Sequence, residues 1–145
     1  MIWTSIPNDE RLRLWKNLRK DIQELDLEQK LAKVAEFCSR MPIGSRSLDY
    51  YSPADWPTPW EILYHGSFCT SSISLLIFYT LTLVSDELDV QLELIEDSSG
   101  VYLIPVIEDH FVLNYELGKI SIYSEICDSF DTLQVYEKSQ IKTLT

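Results

Sequence analysis

Apolar residues recur every three or four positions through the first third of the chain. Leu14, Leu18, Ile22 and Leu25, with Trp15 beside them and charges between, predict an amphipathic helix from Pro7 to Leu25. A second helix is expected to start at Asp26, an N-cap with Gln29 three residues on in the manner of a capping box. Leu27, Leu31, Val34, Ala35 and Cys38 form its apolar face, which makes Cys38 core, and Pro42 and Gly44 end it. Residues 43–57 read as an ordered loop. Tyr50, Tyr51 and Trp56 are too aromatic for a disordered linker and should pack over the domain or line a cleft.

Thr58-Pro59-Trp60-Glu61 is a helix start, with Thr58 as N-cap, Pro59 as first helical residue and Glu61 closing a capping box. Gly66 ends this short helix, His65 serves as its cationic cap, and Ser67 is placed to cap the next one. In that next helix Leu75, Leu76, Ile77, Phe78, Tyr79, Leu81 and Leu83 leave almost no water-facing stripe, which predicts burial. After Ser85 the period becomes two. Leu88, Val90, Leu92 and Leu94 alternate with Asp89, Gln91 and Glu93, a strand with one wet face. A turn at Ser98-Ser99-Gly100 leads to a strand over 101–107, where Pro105 signals an edge or a bulge. Strands over 109–115 and 119–126 are joined by a tight turn at Leu117-Gly118, a last strand covers 133–137, and the tail beyond should be loose. Helices followed by antiparallel strands predict an α+β fold, a buried central helix packed on a C-terminal sheet.

The 145 residues suit one domain, helical over about 1–85 and a sheet over about 88–137. A formal net charge of −11 argues against nucleic-acid binding, which needs clustered Lys and Arg, and suits a soluble protein or one with a basic protein partner. No apolar stretch follows Met1 in the manner of a signal peptide, and the apolar helix is shorter than the roughly 20 residues that span a bilayer, so no membrane is expected. Three cysteines with no CxxC pair point to a reducing cytoplasm.

Cys69 falls at the start of the buried helix, where free backbone N–H groups and the helix dipole favour a thiolate. His110, on a strand, is a candidate base. With Leu117 and Gly118 at the centre of the turn, Asn114 faces Ser121, Val112 faces Tyr123 and His110 faces Glu125. Opposite residues lie about 5 Å apart at Cβ, so Glu125 could orient the imidazole toward Cys69. A one-residue bulge would put Ser124 there instead. Phe111, Leu113, Ile120 and Ile122 share the other face and should pack on the helices. A zinc site from Cys69, His110 and Asp109 lacks the ligand pairs of structural sites, so no metal is expected.

Trp56, Pro59-x-Glu61, Gly66 and Cys69 opening a buried helix, then His110 and the turn residue Gly118, resemble the transglutaminase-like (papain-like) cysteine peptidases and amidases. The resemblance covers about 50–126. It implies acyl transfer or amide hydrolysis without a cofactor. Cys69 would attack a carbonyl of a protein or peptide, His110 would carry the proton, and the Cys69 N–H with the Trp60 indole would hold the oxyanion. The chain departs from the pattern in two places. Phe68 and Thr70 flank the cysteine where acidic residues are usual, and the aspartate position falls on Ser124, with Glu125 as its substitute. Two functions follow: a cysteine-dependent peptidase, amidase or acyltransferase, or a non-catalytic acidic binding or assembly protein (chaperone, adaptor or immunity type) on the same scaffold. An inhibitor of unrelated fold rests on the charge alone.

Overall fold

Local signals decide where the helices begin and end. The computed structural model describes residues 3–44, 48–66 and 68–141. Helix α1 (Asn8–Ile22) buries Arg11, Trp15 and Ile22, and α2 (Leu27–Ser39) buries Leu31, Val34, Ala35 and Cys38. Both predicted capping boxes form, Asp26 with Gln29 on α2 and Thr58 with Glu61 on α3 (Pro59–His65).

Helix α3 stops at Gly66, whose φ of 73° is left-handed. His65 lies in the last turn as expected, but its side chain is exposed and packs edge-on against Tyr64; the carbonyls at this helix end are held by another residue. Arg11 reaches across from α1 and donates to Leu63 O at 2.7 Å, Tyr64 O at 2.8 Å and Ile6 O at 2.9 Å. A buried guanidinium is thus held by the negative end of a helix. A Cβ on Gly66 would lie 2.6 Å from Arg11 Nη1, so a larger residue there must displace the guanidinium as well as adopt this φ.

Helix α4 (Thr70–Val84) is buried from Ser71 through Leu81, as its composition predicts. Its N-cap is Cys69 itself; Ser67, expected in that role, lies outside the described residues. Five antiparallel strands follow: β1 (Val90–Asp97), β2 (Gly100–Ile107), β3 (Phe111–Leu113), β4 (Ile120–Ile122) and β5 (Asp131–Tyr136). Their order is β4-β3-β2-β1-β5, with α4 packed against β1 and β2. Leu92, Leu94, Leu103 and Leu113 face the helices, while Ile95, Ile104, Val106 and Val112 form a second cluster on the outer face under Phe130.

That outer face corrects one expectation. Glu93, predicted to face water, is only 4% exposed. β1 is an interior strand, and the segment after β4 folds back over it. Glu93 there accepts hydrogen bonds from Tyr123 Oη at 2.6 Å and Thr132 Oγ1 at 2.5 Å.

The β3–β4 register also differs from the predicted one, by two residues. Phe111 faces Ile122, Val112 faces Ser121 and Leu113 faces Ile120. A shift of two keeps the faces, so Phe111, Leu113 and Ile120 do pack on the helical core. The connection is a six-residue loop, 114–119, with Asn114 and Gly118 left-handed, rather than a tight turn. The fourth strand ends at Ile122 and the chain turns into a short helix, α5 (Tyr123–Ile126), where a strand was expected. The C-terminal segment is tied down through Ile141, 3% exposed, where a loose tail was expected.

The Tyr79 hydroxyl is buried with no hydrogen-bond partner among the described residues. Burial, and secondarily the charge of Glu61, pushes its pKa up to about 12; burial alone does the same for the Cys38 thiol. Both folded values are raised, so the stability tied to them is complete below their ordinary values of 10.0 and 9.0 and is lost as pH climbs toward 12. Tyr79→Phe is expected to leave stability at pH 7 unchanged or higher by up to about 1 kcal/mol, and to flatten the alkaline decline. Urea unfolding at neutral and alkaline pH measures both; a clear loss at neutral pH would mean the hydroxyl has a partner.

Candidate functional site

The approach to Cys69 is pinned on both sides. Gly66 closes α3, and Phe68, fully buried, pairs with Ile43 in an isolated parallel bridge. Gly44 N–H donates to Phe68 O, and Phe68 N–H donates to Pro42 O at 3.3 Å. Cys69 then caps α4. Its carbonyl accepts from Ile73 N at 3.2 Å, and its Sγ accepts from Ser72 N at 3.3 Å and lies 3.1 Å from Ser72 Oγ. The half-buried side chain lines a hollow of about 430 Å³, walled also by Tyr50, Ser99, Val101, Tyr102, Asn114 and Tyr115.

The hollow exists because β3 pairs only with Val106 and Ile107, leaving the first half of β2 with an open edge. Hydroxyls replace the missing strand. Ser71 Oγ accepts from Leu103 N at 3.1 Å, Ser74 Oγ donates to Leu103 O at 2.8 Å, and Tyr50 Oη donates to Val101 O at 3.2 Å. Pro105, read from sequence as a sign of an edge or a bulge, lies on this interior strand next to its unpaired half. Asn114, 6% exposed and at φ 61°, closes the network by donating from Nδ2 to Thr70 O and to Ser74 Oγ, each at 2.9 Å. At the lip, Tyr102 Oη donates to the Asp97 carboxylate, which helps hold that carboxyl below the usual range.

His110 is elsewhere. Glu108 and Asp109 both have positive φ, and His110 N–H donates back to Ile107 O at 3.1 Å, a turn within the three-residue connection, 108–110, that joins β2 to β3. The imidazole is exposed and stacks edge-on against Phe111 at 4.6 Å. Val101 marks the cleft end of β2 and Ile107 the turn end, roughly 20 Å apart by strand rise. The structure therefore does not bring His110 to Cys69. Nor does it pair His110 with Glu125. The backbone opposite His110 belongs to Tyr123, whose N–H donates to His110 O at 2.8 Å, and Ser124 and Glu125 are exposed on α5. Trp60 is 47% exposed on the first turn of α3, edge-on to Trp15 at 6.2 Å, and is not among the cleft walls.

Of the residues expected at the site, only Cys69 lines the cleft. Tyr50, one of the aromatics expected to pack over the domain or line a cleft, does line it, whereas Ser71 and Asn114 carry no such expectation. A signal for Ser71 and Ser74 did exist: hydroxyls inside an otherwise apolar buried helix must find partners. Asn114 had no such signal, since its contacts lie some forty residues back along the chain.

No protein-family model and no curated protein matches the sequence. Solved structures do match. Legionella pneumophila LapG superposes with a TM-score of 0.71 at 15% identity, covering 94% of this chain and 80% of that one. The chain has the fold of LapG. Calcium-bound LapG gives 0.70 at 15% identity over 92% of this chain and 81% of that one, and EGTA-treated LapG gives 0.73 at 16% over 90% and 74%. At this identity the likeness is one of fold. Among the described residues, no group of three or more His, Cys, Asp or Glu side chains is placed to hold a metal ion. No helix among them is long and apolar enough to cross a membrane.

Proposed function

We propose that this LapG-like domain is a binding protein for a basic protein partner, with a Cys69 cleft that does not turn over an acyl group. One observation carries the reading. The chain has two histidines, and neither lines the cleft: His65 ends α3 and His110 ends the β2–β3 turn. A thiol nucleophile needs a base within hydrogen-bond reach, and the cleft offers hydroxyls and an amide in that place. The net charge of −11 supports a partner of opposite sign.

A second reading, cysteine-dependent acyl transfer, keeps the support of Cys69 itself. Its sulfur is half-buried in a cleft at the start of a buried helix and receives an N–H of the first turn. In that reading Cys69 would attack the carbonyl without His110, Glu125, Ser124 or Trp60 at hand.

Incubation with fluorogenic peptides separates the two readings, and iodoacetamide across pH 6 to 9 (roughly spanning thiol ionisation) checks that His110 does not act on the thiol. The expected result is no Cys69-dependent cleavage, and a Cys69 alkylation profile identical in wild type and His110→Ala. Cleavage that disappears in Cys69→Ala would overturn the binding reading in favour of acyl transfer.

A further inference from the structure

Strand β5 is one of the two outer strands of the sheet, with its far edge unpaired among the described residues. Residues 131–135 are all exposed, including Leu133 at 41% and Val135 at 37%. The β1–β5 register shifts between Leu94 and Ile95, which leaves Leu133 outside the ladder. Open edges are commonly blunted by lysine, proline or an inward charge. β5 reads Asp131-Thr132-Leu133-Gln134-Val135-Tyr136, with no lysine or proline and a single charge at its start.

An acidic hollow lies at each end of the β1–β5 pair. Glu96, Asp97, Asp128 and Asp131 line one of about 370 Å³ where β5 begins. Glu87, Asp89 and Glu137 line another of about 510 Å³ where β5 ends. The cation there, Lys138, turns its ammonium to Asp86 O at 2.7 Å. The six residues between the hollows span roughly 20 Å.

We propose that the β5 edge docks an extended segment of a basic partner protein, apolar at its centre and carrying Lys or Arg at both ends. The segment adds to the sheet as a further strand, its side chains covering Leu133 and Val135 and its terminal cations entering the two hollows. The bulge at Leu133 keeps the new ladder short, so the apolar contacts and the charges carry the discrimination. A second copy of the chain fits poorly. Antiparallel pairing of two β5 edges sets one acidic hollow against the other, between molecules that each carry −11. The proposal takes only the sign of the partner's charge from the binding reading and does not involve Cys69.

Fluorescence anisotropy with the full chain and two labelled peptides, KKVTVTKK and EEVTVTEE, tests it. KKVTVTKK is expected to bind at least tenfold tighter than EEVTVTEE. Binding should weaken at least tenfold in Val135→Asp and in Leu133→Asp, and should fall with added salt. Both positions are exposed, and an unchanged urea midpoint confirms that each variant is folded. Equal binding of the two peptides, no binding of KKVTVTKK, or binding indifferent to Val135→Asp overturns the proposal. So does a dimer in light scattering that Val135→Asp dissolves, which would give the edge to a second copy. Peptide cleavage at Cys69 would remove the binding reading without altering these outcomes, so the two failures are distinguishable.

Discussion

Arg11→Met is expected to lower the free energy of unfolding by about 3–5 kcal/mol. The side chain is 7% exposed and donates to three carbonyls, two at the C-terminal end of α3 and one, Ile6 O, just before α1. Hydrogen bonds to a charged group contribute about 1.5–3 kcal/mol each, and the cost of burying the guanidinium offsets part of that sum. Methionine fills the space of the stem but leaves the carbonyls without this donor. Gly66→Ala attacks the same contact from the other side, because its Cβ would meet Arg11 Nη1 at 2.6 Å while φ stays at 73°. The left-handed backbone alone costs about 1–2 kcal/mol with a Cβ. The steric part vanishes once Arg11 is shortened, so the double variant should lose less than the two single losses added together. Urea denaturation of the four proteins measures the cycle. A loss below about 1 kcal/mol for Arg11→Met would show that the cation does not hold α1 against α3.

Asn114→Ala is the second large effect, with an expected loss of about 2–4 kcal/mol. Two hydrogen bonds, to Thr70 O and Ser74 Oγ, disappear from a site that is 6% exposed. Alanine must also adopt the φ of 61° that asparagine tolerates. Asn114→Gly keeps the backbone and removes only the bonds, so it should lose about 1 kcal/mol less. Both variants free the first turn of α4 from the loop that walls the cleft, and Cys69 should be alkylated faster in each. Stability and alkylation rate both unchanged would mean that Asn114 does not anchor the cleft.

The α+β architecture was legible because its signals are local. The box at Asp26 and Gln29 and the one at Thr58 and Glu61 act within three residues, and the burial of α4 follows from composition alone. The hairpin misled for a physical reason. Glycine marks left-handed turns, so Gly118 drew the predicted turn to itself. The residues at positive φ between β2 and β3 are Glu108 and Asp109, neither of which announces a turn as glycine does. That moved His110 from a strand to a turn. The expected pairing with Glu125 went with it, since β4 ends three residues before Glu125.

The two capping boxes, the buried helix, the switch to strands and the position of Cys69 at a helix start can all be read along the chain alone. Each of these depends on neighbours within about one helical turn or on the period of apolar side chains. What surrounds the Cys69 sulfur depends on long-range packing. Tyr50, Val101 and Asn114 reach the cleft from separate parts of the chain, and which end of β2 meets α4 is set by packing and by the Ser71 and Ser74 hydroxyls on Leu103. No local pattern encodes the distance between residues forty positions apart, and that distance separates a histidine present in the chain from one present at the thiol.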